Sequence, residues 1–467
     1  MSIFKILVGK LKHLTFLLFL GLASTVSAQS SNAANIKLEL DSFLQTANRF
    51  SQFNGSVMVS YKGEVILNKG YGFKNFADKY VNDENTIFRI GSITKPFTAT
   101  LIHLLEEQGK LSLQDKLSKY FPDFPSGDKL TIQHLLNHSS GLYDYASNMD
   151  RADSAITDHP VAKEKILAQF IGEPLAFAPG SKYRYTNSGY YLLGLITEKV
   201  TGKSWEQAMR EYILNPLHMT HSGFDFRALA SPDKAIGYQI LNDLKQTPDV
   251  VWDSTVTYAA GGLYSNTADM LVWAKAVTGQ KLLSKEGWKR AFTVQVGKYG
   301  DGWDVDSLSG VRFVGHNGGF PGFSAHLLIF PDDDLQVIAL TNVSDNTYVT
   351  TVAKVLAAMV LKKPVPGGLA KIPQTISLPQ AALEIFAGQY QFDKNHVAVV
   401  SVQDGKIFIT ADNNQLPLTR ILPVESNTFF LSSVFMNIEL KFERNKSSQV
   451  TGMTMTKDGN SFKWKKI

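Results

Sequence analysis

The segment Gly91–Phe97, which reads GSITKPF, contains side chains suited to covalent chemistry. A serine hydroxyl attacks a carbonyl carbon efficiently only when a neighbouring group removes its proton. Residues three apart on a helical turn face each other, so Lys95 Nζ can meet Ser92 Oγ. The lysine serves as a base near pH 7 only if burial or positive charge lowers its pKa from about 10.4. The spacing therefore predicts a serine nucleophile activated by a lysine.

The same tetrapeptide has a second interpretation, an N-cap serine followed by a surface lysine. Pro96 bears on both interpretations, because a proline disfavours the helical conformation of the residue before it and lacks a backbone donor. Either Pro96 opens the helix and residues 92–95 form a tight turn, or the site holds local strain. Ser-x-x-Lys therefore needs support from elsewhere in the chain.

The segment Tyr183–Tyr190, which reads YRYTNSGY, offers a second set of polar groups. Tyr185 can ionise or relay a proton beside a lysine, and the Asn187 amide can orient a substrate carbonyl and Lys95. The alternative is an aromatic core cluster that ends in an asparagine turn.

A third segment, Gly315–Gly319 (GHNGG), places glycines on a predicted edge strand. Glycines there allow a substrate backbone to approach closely. The N–H of Gly319 can then join that of Ser92 in an oxyanion hole. The alternative is a glycine-rich hairpin.

The three motifs in this order, Ser-x-x-Lys, Tyr-x-Asn and His-x-Gly, resemble those of the serine β-lactamase and DD-peptidase superfamily, in its class C-like branch. The resemblance covers about residues 34–361, and Leu130–Leu142 and Ala259–Ser265 support it. It implies an α/β fold with an antiparallel sheet flanked by helices and a mostly helical lobe. The branch includes β-lactamases, DD-carboxypeptidases, D-amino-acid peptidases and esterases.

The resemblance also implies a role for each motif residue. Ser92 is the acylated nucleophile, and Lys95 with Tyr185 forms its base system, with the order of proton transfer left open. Gly319 completes the oxyanion hole with Ser92. The residues implied to contact the substrate are Asn187, His316, Asn317 and Gly318.

His316 departs from the β-lactamases of this branch, which usually carry a lysine at the corresponding position. A histidine with a pKa near 6.5 is mostly neutral at pH 7 and holds a substrate carboxylate less well than a lysine. The sequence therefore predicts weak β-lactam turnover. Peptidase and esterase members of the branch often have His-x-Gly at this position, so hydrolysis itself is still expected.

Hydrophobic periodicity predicts the elements that position these motifs. Strands near both ends of a helical middle indicate one antiparallel sheet built from both termini. The predicted segments are a helix at 35–50, a hairpin at Ser56–Leu67, a mostly helical region at 96–277, strands at Val311–Gly315, Phe323–Phe330 and Leu335–Asn342, and a helix at Tyr348–Leu361.

Composition changes near the C-terminus and indicates a second domain. Residues 29–365 are predicted to form the catalytic domain, and the Pro- and Gly-rich residues 366–382 a linker. In residues 383–467, Ile438–Glu443 alternates between apolar and charged side chains, which predicts strands of a small β-barrel. This tail resembles the lipocalin-like domain appended to some hydrolases of this kind.

Residues 1–28 are typical of a secretory signal peptide. Three lysines precede the apolar run Leu14–Ala23, and Val26–Ala28 forms a small-x-small cleavage site. The apolar run is shorter than the roughly 18 residues that cross a bilayer, so no membrane span is expected. The chain has no cysteine, which excludes disulfides and a catalytic thiol. We expect a bacterial protein that is periplasmic or secreted.

Charge and metal-ligand patterns restrict the partners. The formal net charge of +5 includes three lysines of the signal segment, so nucleic-acid binding is not expected. His134 and His138 are spaced like a zinc pair on a helix, but no Glu follows His134 and no third ligand is evident. The sequence implies no metal or organic cofactor, and a small molecule or short peptide as substrate. It leaves the oligomeric state open.

Three functions are consistent with these residues. The first is an acyl-enzyme hydrolase of peptides or amides, of the D-amino-acid peptidase or DD-carboxypeptidase type. The second is an esterase or weak β-lactamase on the same site. The third is an inactive module that binds penicillin or cell-wall peptide.

Overall fold

The computed structural model describes residues 33–148, 158–242, 244–344, 346–365, 367–411, 416–457 and 459–467. The described residues form two compact units. The first unit comprises residues up to Ser42 together with Asn54–Lys363, and the second comprises Phe43–Phe53 together with Pro364–Ile467. The predicted signal peptide lies outside the described residues. Within the described part of the chain, no helix has the length and apolar character that a membrane crossing requires.

Helices make up most of the middle of the first unit, as the periodicity predicts. The α-helices are α1 (33–49, divided between the units after Ser42), α2 (Thr94–Glu107), α3 (Ile132–Leu136), α4 (Lys163–Leu167), α5 (Asn187–Thr201), α6 (Trp205–Met209), α7 (Ser254–Gly261), α8 (Thr267–Thr278), α9 (Lys285–Ala291) and α10 (Asn346–Val360). Short 3₁₀ turns lie at Gly91–Ile93, Leu117–Lys119 and Tyr145–Asn148, and a π turn at Arg210–Leu214.

The strands of the first unit come from its two ends and from short pieces between the helices. They are β1 (Gly55–Tyr61), β2 (Glu64–Tyr71), β3 (Phe73–Asn75), β4 (Tyr80–Val81), β5 (Phe88–Arg89), β6 (Tyr238–Leu241), β7 (Gln246–Pro248), β8 (Tyr264–Ser265), β9 (Asp304–Leu308), β10 (Val311–Phe320), β11 (Phe323–Phe330) and β12 (Leu335–Thr341).

The main sheet has six strands in the order β2-β1-β12-β11-β10-β9, all antiparallel. Every residue of β11 and β12 is buried, because helices cover the sheet: α10 packs on both strands and α8 packs on β1 and β12. The first strands of the unit thus pair with the last ones, which confirms the predicted sheet built from both ends of the domain.

Strand β10 is longer than the sequence predicts, since it continues through the glycines to Phe320. Its pairing with β9 ends at Gly315, whereas its pairing with β11 runs on to Phe320. The residues from His316 onward therefore form a free edge on one side, where the backbone can pair with a ligand.

Helix α2 begins before the proline rather than after it. Gly91–Ile93 forms a 3₁₀ turn that leads into the helix, whose N-cap is Ile93. Pro96 lies in the first helical turn, where a backbone N–H has no intrahelical acceptor, so its missing donor leaves no ladder bond broken. Lys95 is thereby helical and faces back toward Ser92.

The second unit is a closed antiparallel barrel in which the strands follow one another in sequence order. Its elements are the short helix α11 (Gln380–Glu384) and the strands β13 (Gly388–Asp393), β14 (His396–Gln403), β15 (Lys406–Ala411), β16 (Leu416–Pro423), β17 (Thr428–Leu431), β18 (Ile438–Arg444), β19 (Val450–Lys457) and β20 (Asn460–Lys466). In β18 the apolar side chains are buried and the charged ones exposed, as the alternation predicts.

Candidate active site

Two glycines allow the start of α2 to approach strand β10 closely. Gly91 has a φ of +51°, a conformation that favours glycine, and a Cβ there would lie 2.7 Å from Gly319 O. A Cβ on Gly318 would lie only 2.0 Å from Ile90 O and 3.3 Å from Ser92 N. Bulkier residues would force the strand away from the turn that holds Ser92. The glycines therefore bring the free edge of β10 beside the serine.

Ser92 Oγ takes part in two hydrogen bonds. Lys95 Nζ lies 2.9 Å from it, and the Tyr185 hydroxyl donates to it at 2.9 Å. Lys95 is completely buried, and its Nζ also donates to Asn187 Oδ1 and to Ala260 O, each at 2.8 Å. The structure thus brings together Ser92, Lys95, Tyr185 and Asn187.

Burial changes the proton affinity of both groups beside the serine. It lowers the pKa of Lys95 to about 7, although the carboxylate of Asp144 acts in the opposite direction. Burial raises the pKa of Tyr185 above its usual range, and the hydrogen bond with Ser92 opposes this. At neutral pH, a substantial fraction of Lys95 is therefore a neutral amine while Tyr185 keeps its hydroxyl proton.

Asp144 orients the Asn187 amide at the start of α5. Its Oδ1 accepts from the backbone N–H of Asn187 at 3.0 Å, and its Oδ2 accepts from Asn187 Nδ2 at 3.3 Å. With the amide nitrogen directed to Asp144, the amide oxygen faces Lys95 Nζ. Thr186 caps the helix by accepting from the N–H of Ser188, which fixes the backbone of the Tyr-x-Asn segment.

His316 lies behind the site with both ring nitrogens engaged. Nδ1 lies 2.5 Å from the carbonyl of Asn317, so it carries the proton, and Nε2 accepts from the Tyr299 hydroxyl at 2.8 Å. Burial, together with the charge of nearby Lys95, lowers the pKa of His316 to about 3, so the ring is neutral at pH 7. The position implied to contact substrate thus presents no positive charge, and its role stays a prediction.

A cavity of about 370 Å³ opens beside the serine. Its lining includes Ser92, Asn187 and Gly319, and an apolar wall that contains Trp252, Phe320 and Phe323. A Cβ on Gly319 would meet no atom within 4 Å, so the strand edge is open there. The backbone N–H groups of Ser92 and Gly319 therefore belong to residues that border the same space.

Residues without a recognised motif complete the site. Asp144, Tyr299 and Ala260 contact Asn187, His316 and Lys95, respectively, and no spacing rule identifies the first two. Ala260 belongs to the supporting stretch Ala259–Ser265, and the other stretch, Leu130–Leu142, contains one further contributor, His138. The His138 ring lies 4.3 Å from the Tyr185 ring, centroid to centroid, and packs behind it.

His138 is not on the same helix as His134, contrary to the sequence interpretation. Helix α3 ends at Leu136, and His138 has a φ of +58° beyond it. Its Nδ1 accepts from the N–H of Thr186 at 3.3 Å, so it serves the backbone of the site. Among the residues that the structure describes, no group of three or more His, Cys, Asp or Glu side chains is arranged to hold a metal ion.

Comparison with known proteins finds a family match for two segments of the chain. Residues 46–359 match the Beta-lactamase family, and residues 373–466 match a domain of unknown function (DUF3471). The chain is 28% identical over 434 residues to penicillin-binding protein 4* of Bacillus subtilis, which covers 87% of this chain and 94% of that protein. It is 31% identical over 295 residues to the putative penicillin-binding protein PbpX of the same organism, covering 63% of this chain and 72% of the relative.

Solved structures share the fold. A penicillin-binding protein from Bacillus halodurans aligns with a TM-score of 0.61 and 27% identity, covering 68% of this chain and 98% of that one. The family match spans the sheet, the helical lobe and the Ser-Lys-Tyr site. The chain therefore belongs to the β-lactamase family and is a serine hydrolase of the β-lactamase-related type.

Proposed function

We propose that this enzyme hydrolyses peptides or amides through an acyl-enzyme on Ser92, as a peptidase of the D-amino-acid or DD-carboxypeptidase type. The observation that carries the proposal is the pair of hydrogen bonds at Ser92 Oγ, one with buried Lys95 and one with Tyr185. An inactive binding module has no need for a buried lysine held by three partners, so the arrangement favours catalysis.

Lys95 is the first base in this proposal. A neutral amine has two N–H donors and one lone pair, and Nζ has two carbonyl-type acceptors, Asn187 Oδ1 and Ala260 O. The lone pair is then directed to the Ser92 hydroxyl. Tyr185 keeps its proton because burial raises its pKa, so a tyrosinate base is disfavoured.

Acylation follows from these positions. As Ser92 Oγ attacks the carbonyl carbon, its proton moves to Lys95, and the N–H groups of Ser92 and Gly319 stabilise the developing oxyanion. The Tyr185 hydroxyl then donates a proton to the leaving amine, and the proton on Lys95 restores the phenol. Deacylation runs in the reverse order: as water attacks the acyl-enzyme, Tyr185 passes its proton to Lys95 and takes one from the water, and Lys95 then protonates Ser92 Oγ as the ester bond breaks.

We also propose that the chain is exported, with residues 1–28 removed as a signal peptide. The support is the order of lysines, apolar run and cleavage site in the sequence. N-terminal sequencing of the protein recovered from the periplasm or medium of a bacterial host tests it. A mature chain that starts at Gln29 is expected, and an uncleaved cytoplasmic chain would contradict export.

The test of the proposed reaction is mass spectrometry of a pooled digest. The pool contains a D-Ala-D-Ala peptide, D-amino-acid amides, L-peptides, short-chain esters and a cephalosporin. Wild type is compared with Ser92→Ala and with Ser112→Ala, which changes an exposed serine in the segment after α2. We expect peptide or amide cleavage that disappears only in Ser92→Ala. Cleavage that survives in Ser92→Ala refutes the nucleophile, and cleavage of esters alone refutes the peptidase.

A further inference from the structure

A second cavity lies next to the active-site cavity. It has a volume of about 440 Å³, and its lining includes Phe226, Arg227, Lys234 and Asp249. Phe323 lines both cavities. The two cavities are also linked by a hydrogen bond, because Ser344 of the first donates to Asp249 of the second at 2.8 Å. The two cavities are therefore neighbours that share part of their wall.

Positive side chains gather around one ring of the second cavity. The Arg89 guanidinium and Lys234 Nζ each lie 5.1 Å from the centroid of Phe226. Lys234 Nζ donates to the backbone carbonyl of Arg227 at 2.8 Å. Arg227 itself is exposed, and its guanidinium makes no ion pair with any residue that the structure describes.

The acidic side chains of the same cavity already have partners. Asp249 accepts from Ser344 and from the N–H of Val250, and Asp158 lies 2.7 Å from His159 Nδ1. Each of these carboxylates thus already has a hydrogen-bond partner within the protein. Arg89 and Lys234, in contrast, both lie close to the Phe226 ring.

The pKa of Lys234 also reflects the positive charges nearby. Burial lowers the pKa of Lys234, and the neighbouring charges of Arg89 and Arg227 lower it further, while Asp225 opposes them. Beyond the effect of burial, the two guanidinium groups thus disfavour the charged form of Lys234. An anion placed between Arg227 and Lys234 would relieve this repulsion in a concave, partly desolvated space.

We propose that this second cavity is a subsite for a carboxylate of the substrate, remote from the scissile bond, held by Arg227 and Lys234. The enzyme then prefers peptides that carry an acidic residue several bonds away from the carbonyl that Ser92 attacks. This inference rests on the proposed function, since it extends the substrate from the Ser92 site. No charged side chain lines the first cavity among the described residues, so discrimination by charge falls to the second.

The test measures binding without turnover. Ser92→Ala protein is titrated with a panel of capped peptides that carry a single Glu at one of three positions on either side of the scissile bond. Each peptide has a Gln counterpart of the same length. For at least one position we expect the Glu peptide to bind about 5-fold more tightly, as for a partly exposed ion pair, and the advantage to shrink at high salt.

A matched pair of charge variants assigns the preference to the subsite. Arg227→Ala/Lys234→Ala, in the Ser92→Ala background, is expected to reduce the Glu advantage to about 1-fold and leave Gln-peptide affinity unchanged. Arg312→Ala/Lys285→Ala removes the same charge elsewhere and is expected to keep the advantage. Thermal unfolding of each variant verifies that it is folded, and the exposed position of Arg227 favours this.

Two outcomes overturn the inference: equal binding of every Glu and Gln pair, or a Glu advantage that persists in Arg227→Ala/Lys234→Ala. A second assay distinguishes failure of the subsite from failure of the proposed function. It measures hydrolysis of a short uncharged amide by the protein with Ser92 intact. Loss of amide hydrolysis with a Glu advantage that depends on Arg227 and Lys234 would refute the function and keep the subsite. The reverse pattern would keep the function and refute the subsite.

Discussion

Lys95 connects the polar groups of the site. Its Nζ is within 2.9 Å of Ser92 Oγ and within 2.8 Å of two carbonyl-type oxygens. Burial disfavours its charge, whereas these acceptors and the nearby Asp144 favour it. The outcome is a pKa of about 7, which suits a base that must be neutral in the resting enzyme and charged after attack.

The pH dependence of kcat/KM tests this base directly. For an uncharged amide substrate, kcat/KM is expected to rise with pH through about 7, because only the neutral form of Lys95 accepts the proton of Ser92. The measurement is a profile from about pH 5 to 9 in constant ionic strength. A rate that is flat over this range, or that rises only near the ordinary lysine pKa, contradicts the assignment.

Asp144→Asn is expected to move that profile. Removal of the carboxylate takes away a charge that holds the pKa of Lys95 up, so the rising limb moves to lower pH. The Asn187 amide also loses the acceptor that fixes its orientation, and we expect the maximal kcat/KM to fall about 10-fold. Asp115→Asn, at a carboxylate bonded to Lys119, is the control with the same charge change. A tenfold loss without movement of the limb would indicate that Asp144 is only structural.

Local contacts could be predicted from the sequence, and distant ones could not. Ser92 and Lys95 are three residues apart, so helix geometry alone predicts their contact. Asp144 lies 43 residues from Asn187, and an aspartate before a helix has many structural uses, so no spacing rule selects it. His316 Nε2 is bonded to Tyr299, which no motif marks.

At the scale of elements, the close approach of β10 to the start of α2 forms the site. The strand continues through its glycines because pairing with β11 satisfies their backbone, although glycine has a low strand propensity. The sequence prediction ended the strand at Gly315. It nevertheless placed the glycines at a sheet edge, as the end of the β9 pairing at Gly315 shows.

Substitution of adjacent glycines separates packing from chemistry. Gly318→Ala places a methyl group 2.0 Å from Ile90 O, so either β10 or the serine turn must move. We expect a loss of about 1–3 kcal/mol in the free energy of unfolding and severe loss of activity. Gly319→Ala meets no atom within 4 Å and is expected to keep the stability of wild type. Chemical denaturation of both variants gives the comparison, and equal destabilisation would contradict the described approach.

At the scale of the whole molecule, each of the two units has a hydrophobic core among its described residues. One includes Phe97, Trp273 and Trp303 in the first unit, and the other includes Phe386 and Phe442 in the barrel. The change of composition in the chain predicted the barrel. It did not predict that Phe43–Phe53, before the first strand, belongs to the barrel unit, where Gln52 bonds to Ser433 and Val434. Contacts across 381 residues leave no sequence pattern.

Phe442→Ala tests whether the two cores unfold separately. The ring is 1% exposed and packs on Phe386, Tyr390 and Phe429, so its loss should cost about 3–5 kcal/mol. Scanning calorimetry is expected to show one transition lowered and another unchanged, with amide hydrolysis at 25 °C retained. A single transition that falls together with activity would show that the barrel core supports the catalytic unit.

The most direct test of the central claim is the location of the covalent intermediate. The protein is incubated with a penicillin or an activated ester, quenched, digested with trypsin and analysed by mass spectrometry. Trypsin cuts after Arg89 and Lys110 but not between Lys95 and Pro96, so Ser92 lies in one peptide, 90–110. We predict one acyl group per chain on Ser92 within that peptide, and no label in Ser92→Ala. A label on another residue, or labelling that Ser92→Ala does not reduce, would contradict the account.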